Sequence, residues 1–170
     1  MENKNQNLHE VVITGIIVKD DGSAGSPEPK YLITRRSNKK RFPGMWTVPG
    51  GKLEASDYLK LPRDTEHYWY NVLEQTLRRE VKEEVGVEID NIVYVTSLAT
   101  VHADGSPSIV ISCMADYVSG DIVLQPEESD QYAWVDLEEA QGYKLIDGID
   151  DELAMAENMR LGKRTEWKRS

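Results

Sequence analysis

Cysteine is almost absent: Cys113 is the only one in 170 residues, which excludes an internal disulfide and any all-cysteine metal cage. A bound metal would have to take oxygen or histidine ligands. Long apolar runs are missing too. The longest, residues 11–18, is broken by Thr14 and Gly15 and falls well short of the ~18 residues of a membrane span, so no membrane association is expected. The opening decapeptide MENKNQNLHE has no apolar centre, so no secretory signal is expected and a cytoplasmic location follows by default. Positive charge is scarce, with 20 Lys and Arg against 30 Asp and Glu, and the net charge of -10 would repel a phosphate backbone. A nucleic acid polymer is therefore not an expected partner. Only the tail runs against this trend, with Arg160, Lys163, Arg164, Lys168 and Arg169 facing a single Glu166.

What is present describes one folded domain over residues 1–170, with a basic tail from about residue 160. Hydrophobic residues make up 39% and charged residues 29%, too apolar for a disordered chain and too mixed for a fibrous one. Residues 11–19 and 31–36 read as strands separated by a Gly, Ser and Pro-rich loop. A short extended piece, 46–48, is stopped by Pro49-Gly50-Gly51. Between Glu66 and Val85 apolar residues recur at spacings of three and four, which predicts a long helix capped by Gly86. Residues 92–101 and 108–118 predict neighbouring antiparallel strands. A short run at 122–124, a strand at 132–135 and two helices, 137–141 and 150–161, complete the chain. Strands on both sides of a central helix imply an α/β (α+β) fold, a mixed sheet sandwiched between helices.

The end of the long helix, Arg78-Arg79-Glu80-Val81-Lys82-Glu83-Glu84-Val85-Gly86-Val87, carries the chemistry. Glu80 lies three and four residues from Glu83 and Glu84, so the carboxylates share a face and repel one another. They also sit at the helix end where the macrodipole favours cations. A divalent cation would reverse both penalties, and hard carboxylate oxygens suit Mg2+ or Mn2+. Lys52, Arg35, Arg36 and Arg41 lie beside the glycine turn in sequence and are candidates for phosphate oxygens.

Gly51 with Arg79 to Val87 resembles the Nudix hydrolase box, whose pattern is Gly, five residues, Glu, seven residues, then Arg-Glu-apolar-x-Glu-Glu-x-Gly-apolar. The run Phe42-Pro43-Gly44-Met45-Trp46-Thr47-Val48-Pro49-Gly50 before it and Trp134-Val135-Asp136-Leu137-Glu138-Glu139-Ala140 after it are also similar to the family, so the resemblance spans residues 11–145. It departs at one place. The family's first Glu position holds Asp57, and 21 residues rather than seven separate it from Arg79, an insertion of fourteen. The inserted stretch carries Tyr58, Tyr68, Trp69 and Tyr70, and either extends the helix or forms a lid or homodimer surface. In the family the first Glu pairs with the box Arg; Asp57 and Glu54 both compete for that place here.

The resemblance implies hydrolysis of a pyrophosphate bond in a nucleoside diphosphate linked to another group, by water attack at phosphorus. It implies Mg2+ on Glu80, Glu83 and Glu84, with a backbone carbonyl of Gly50 or Gly51 as a further ligand. Glu83 is the first candidate for orienting the water, and the loop carboxylates Glu127 and Glu128 are the others. NTPs, oxidised dNTPs, ADP-ribose and dinucleotides all remain open as substrates. A non-catalytic nucleotide-sensing module with the same fold is the rival reading, and it has no need of three mutually repelling carboxylates.

Overall fold

The computed structural model describes residues 8–20, 28–163 and 166–168. Most of the loop after the first strand and part of the basic tail lie outside the described residues. A seven-stranded mixed sheet is built from β1 (Glu10–Lys19), β2 (Lys30–Arg36), β3 (Trp46–Thr47), β4 (Gly50–Lys52), β5 (Glu88–Val101), β6 (Pro107–Ser119) and β7 (Ser129–Val135). The path runs β3-β2-β1-β6-β5, with β4 also on β1 and β7 also on β2. β1 and β6 are parallel, while the other pairs are antiparallel, including the expected β5–β6 hairpin. The helices are α1 (Ser56–Leu59), α2 (Val72–Val85), α3 (Leu137–Ala140) and α4 (Ile149–Arg160).

Strand alternation sorts the core into two layers. Ile13 and Ile17 of β1 join Leu77, Val81 and Val85 of α2 on one face, whereas Ile16 and Val18 join Leu153, Met155 and Ala156 of α4 on the other. The sheet is thus sandwiched between helices. Gly15 is the contact that lets α2 close on β1: a Cβ there would meet Leu77 at 3.1 Å.

Two features differ from the sequence expectation. The long helix begins at Val72 rather than Glu66, because Asn71 takes a left-handed conformation (φ 53°) that ends helical propagation towards the N-terminus. The inserted stretch therefore does not lengthen the helix; it forms α1 and an irregular loop. Pro49-Gly50-Gly51 is not merely a stop, since Gly50–Lys52 pairs with β1 as β4. Residues 122–124 form no strand; Val123 N–H instead donates to Val85 O, and Gln125 N–H to Glu84 O, so this segment wraps the end of α2. Gly86 caps that helix as expected, with φ 81° and its N–H on Val81 O and Lys82 O.

The entry to α3 is a capping box. Asp136 accepts from Glu139 N–H at 2.8 Å while Glu139 accepts from Asp136 N–H at 3.0 Å, and Lys30 Nζ bridges both carboxylates. Asp136→Ala is expected to cost about 1–2 kcal/mol, measured by urea unfolding.

Candidate active site

β4 and α2 build the site together. Gly51 lies against Glu80 so closely that a Cβ there would sit 2.2 Å from the Glu80 carboxyl carbon. Gly50 N–H donates to Glu84 Oε2 at 3.1 Å, and a Cβ on Gly50 would fall 2.3 Å from Ile13 O. Both glycines are required by close approach, to a functional side chain in one case and to β1 in the other.

Arg79 is the hub of the arrangement. Its Nε donates to Asp57 Oδ1 and its Nη2 to Asp57 Oδ2 at 3.2 Å, while Nη1 reaches Glu80 at 2.9 Å and Glu83 at 3.1 Å. The competition for Arg79 is therefore won by Asp57. That carboxylate is only 3% exposed and also accepts from Thr76 Oγ1 and Glu54 N–H, each at 2.9 Å. Burial pushes its pKa up, but the Arg79, Glu54 and Thr76 donors outweigh burial and leave it below the usual carboxylate range. Arg79 is held charged, first by the Asp57 hydrogen bonds. A shorter acid suffices here because α1 carries Asp57 up to the helix. The repulsion expected among the carboxylates is thus relieved at Glu80 and Glu83 by Arg79, and Lys82 donates to Gly86 O at the helix end.

Glu84 is the group left with least compensation. Its pKa is pushed up to about 8, mainly by burial, and further by Glu128 and Glu80, against the Gly50 N–H and Lys40. Burial likewise raises Glu80, with Arg79 opposing. Glu128 pairs with Lys40 near Glu84, whereas Glu127 is turned outward to Lys39 at 2.6 Å. Arg36 is half-buried beside Glu84, Glu128 and Arg41, and its Nε is buried without a hydrogen-bond partner among the described residues. Arg41 contacts His102 Nδ1. Arg35 points elsewhere, making a two-pronged pair with Asp130 at 2.7 and 3.0 Å. Lys52 gives its side chain to Glu10 at 2.8 Å and only its carbonyl to Arg79. The structure therefore gathers Glu80, Glu83, Glu84, Glu128, Gly50, Gly51, Arg36 and Arg79. Lys40 joins them without having been singled out in the sequence, where nothing sets it apart from Lys39.

As the side chains stand, no three acidic or histidine groups among the described residues converge closely enough to share a cation, because Arg79 holds Glu80 and Glu83 while Gly50 holds Glu84. The chemistry of the donor set nevertheless fits a hard divalent cation. Three carboxylates lie on the last two turns of α2, and the part-buried Glu84 is short of positive charge. Beside them an open recess of about 540 Å3 is lined by Glu54, Ser56, Asp57, Lys60, Gln75, Arg79 and Glu83. No helix among the described residues is long and apolar enough to cross a membrane.

Residues 9–155 match the NUDIX domain family. The NAD-capped RNA hydrolase NudC of Pseudomonas aeruginosa is 32% identical over 119 residues, covering 66% of this chain and 37% of that protein. The chain thus spans little more than a third of that relative's length. Among solved structures, the NUDIX domain of Shewanella oneidensis NrtR, complexed with ADP ribose, superposes with a TM-score of 0.68 at 19% identity, covering 95% of this chain and 94% of that one. A C. elegans Ap4A hydrolase superposes with a TM-score of 0.63 at 21% identity, covering 90% and 98%. At such identities the two structures establish the fold.

Proposed function

This chain belongs to the Nudix family, and on that premise we propose that it hydrolyses a pyrophosphate bond in a nucleoside diphosphate linked to another group, with a divalent cation. The observation that carries the proposal is the packing of Arg79 and the carboxylates of α2 onto the Gly50-Gly51 strand within the matched domain.

Glu80, Glu83 and Glu84 would hold the cation, Mg2+ or Mn2+ by their hard oxygens. When bound, it supplies charge neutralisation of the bridging phosphates and activation of water. The chain's own residues do the positioning. Asp57, itself held by the Thr76 hydroxyl, fixes Arg79, and Arg79 in turn orients Glu80 and Glu83. Glu83, more than half exposed, accepts the proton of the attacking water at a carboxylate oxygen, and Glu128 is the second candidate for that task. Arg36 and Arg41 face the phosphates, where the Arg36 Nε, without a partner among the described residues, has a donor to give. Arg35, Lys52 and Glu127, engaged in ion pairs of their own, are secondary candidates.

The substrate is a small nucleotide derivative. The name of the Pseudomonas relative adds NAD-capped RNA to a panel of NTPs, oxidised dNTPs, ADP-ribose and dinucleoside polyphosphates. Cleavage of one class, followed by chromatography and mass, that vanishes with EDTA supports the proposal. Silence across the panel with nucleotide binding intact would replace it with the sensing module. A homodimer through the insertion, where Leu59, Leu61, Tyr68 and Tyr70 are exposed, belongs to the same reading and is checked by light scattering.

Metal and pH are linked through Glu84. Its folded pKa, about 8, lies above its ordinary 4.5, so the stability tied to its protonated form is complete below about pH 4.5 and is lost as pH rises through about 8. A cation that favours the ionised form offsets that loss. Millimolar Mg2+ is expected to raise the melting temperature more at pH 8.5 than at pH 6, and equal shifts at both would contradict the assignment of Glu84.

A further inference from the structure

The sheet face covered by α4 carries polar groups that the hydrolytic reading leaves unused. Because Ile13 and Ile17 pack towards α2, Thr14 lies on the α4 side with Ile16 and Val18. On β6, Cys113 belongs to the α2 side, so Ser112 lies on the same side as Thr14, its Cα partner across the parallel pair. Glu152 comes down from the first turn of α4, only 6% exposed, with its carboxyl beside the Ser112 hydroxyl, which opposes the upward push of burial on its pKa. Yet Thr14 Oγ1, Ser112 Oγ and Glu152 Oε2 are each buried with no hydrogen-bond partner among the described residues. Unsatisfied buried groups are costly and few in folded proteins, so three from adjoining elements need a reason.

The surroundings supply one. Towards the starts of the strands the same face continues with the part-buried Val12 and Val110, which are Cα partners, and with Leu98, the partner of Val110 on β5. Leu98 is 39% exposed, so this apolar floor is open. The far end is polar again. Ser108 Oγ meets His102 Nε2 at 2.6 Å and Glu10 Oε1 at 3.4 Å, with Lys52 on Glu10 and Arg41 on His102. From Glu10 to Thr14 the strip is about 13 Å long at ~3.3 Å per residue. It abuts β4, whose Gly50 and Gly51 pair with Thr14 and Ile13 and touch Glu84 and Glu80. A flat apolar floor with hydrogen-bonding groups at its ends, next to a phosphate site, suits a planar heterocycle.

We propose that Glu152, Thr14 and Ser112 read the amino-bearing edge of the substrate's nucleobase as it lies over Val12, Val110 and Leu98. The inference rests on the hydrolytic reading only for the adjoining phosphate end. The two hydrogens of an exocyclic amino group are donated to the orphaned Glu152 oxygen and to Thr14 Oγ1, and the Ser112 hydroxyl donates or accepts as the neighbouring ring atom requires.

The test is equilibrium binding by calorimetry of two matched pairs: GMP with IMP, and AMP with purine riboside 5′-monophosphate. In each pair only the exocyclic amino group differs. The amino-bearing member is expected to bind at least about tenfold tighter, as in sites built to hydrogen-bond a ligand. Glu152→Gln and Thr14→Val are expected to shrink that ratio to about twofold or less while leaving inorganic pyrophosphate binding unchanged. Thr14→Val is nearly isosteric and removes an unpartnered hydroxyl, so it decides the matter if Glu152→Gln fails to fold. Equal binding within the pairs, ratios untouched by Thr14→Val, or no monophosphate binding at millimolar concentration would leave a water-filled recess only and overturn the proposal. Binding needs no turnover, so a protein that discriminates the pairs yet cleaves nothing would refute the hydrolase and spare this assignment.

Discussion

Glu83→Gln is expected to lower kcat by roughly 10²–10⁴-fold, the range for loss of a positioned general base, with the fold unchanged. Glu83 is more than half exposed, and its one charge partner among the described residues is Arg79 at 3.1 Å. That pair runs Arg to Glu along the helix, the weaker order, so its loss costs well under ~1 kcal/mol of stability. Melting temperature and turnover should therefore separate cleanly. Activity within a few-fold of wild type would remove Glu83 from the proton transfer and turn attention to Glu128, which sits near Glu84 with Lys40 as its ion-pair partner.

The adjacent glycines should fail in opposite ways. At Gly51 the backbone suits any residue, and the new methyl group of Gly51→Ala would strike first the end of Glu80, whose carboxyl atoms lie 2.2–2.3 Å from the added Cβ. Glu80 must swing aside, so activity should drop by roughly 10²-fold or more, as misplacement of about 1 Å can cost, while stability holds. At Gly50 the Cβ would meet Ile13 O at 2.3 Å and Thr14 Cα at 2.6 Å, backbone that cannot yield without parting β4 from β1. Gly50→Ala is therefore expected to cost about 3 kcal/mol or more in urea unfolding. If Gly51→Ala loses stability and keeps activity, the close packing of Glu80 on β4 has no role in catalysis.

The sequence reveals what periodicity and local chemistry encode. Strands β1, β2, β5 and β6, the Gly86 cap and the carboxylates of α2 are legible because each depends on neighbours within a turn or a strand. The start of α2 is not, since Trp69 continues the apolar spacing and only the left-handed Asn71 interrupts it. β4 is hidden for a similar reason: three residues with two glycines carry no alternation, and the pairing is imposed by β1. Among the candidate cations, Arg35 and Arg36 are neighbours in sequence but leave the strand on opposite faces, one to Asp130 and the other to Glu84 and Glu128. Thr14 offered a local signal, a hydroxyl inside an otherwise apolar strand, but Ser112 and Glu152 join it only through the fold.

The inserted segment is tied mostly to itself. Trp69 Nε1 donates to Leu61 O at 3.0 Å, Tyr70 N–H to Asp64 Oδ2 at 2.8 Å, Arg63 lies over the Trp69 ring, and Tyr58 packs against it at 5.4 Å. Its anchorage to the body is the Asp57–Arg79–Thr76 knot, which stands before the loop begins. The segment is thus a cassette: exchanging residues 60–70 for a short linker, or for a foreign loop of similar span, is expected to leave the acid that holds Arg79 undisturbed.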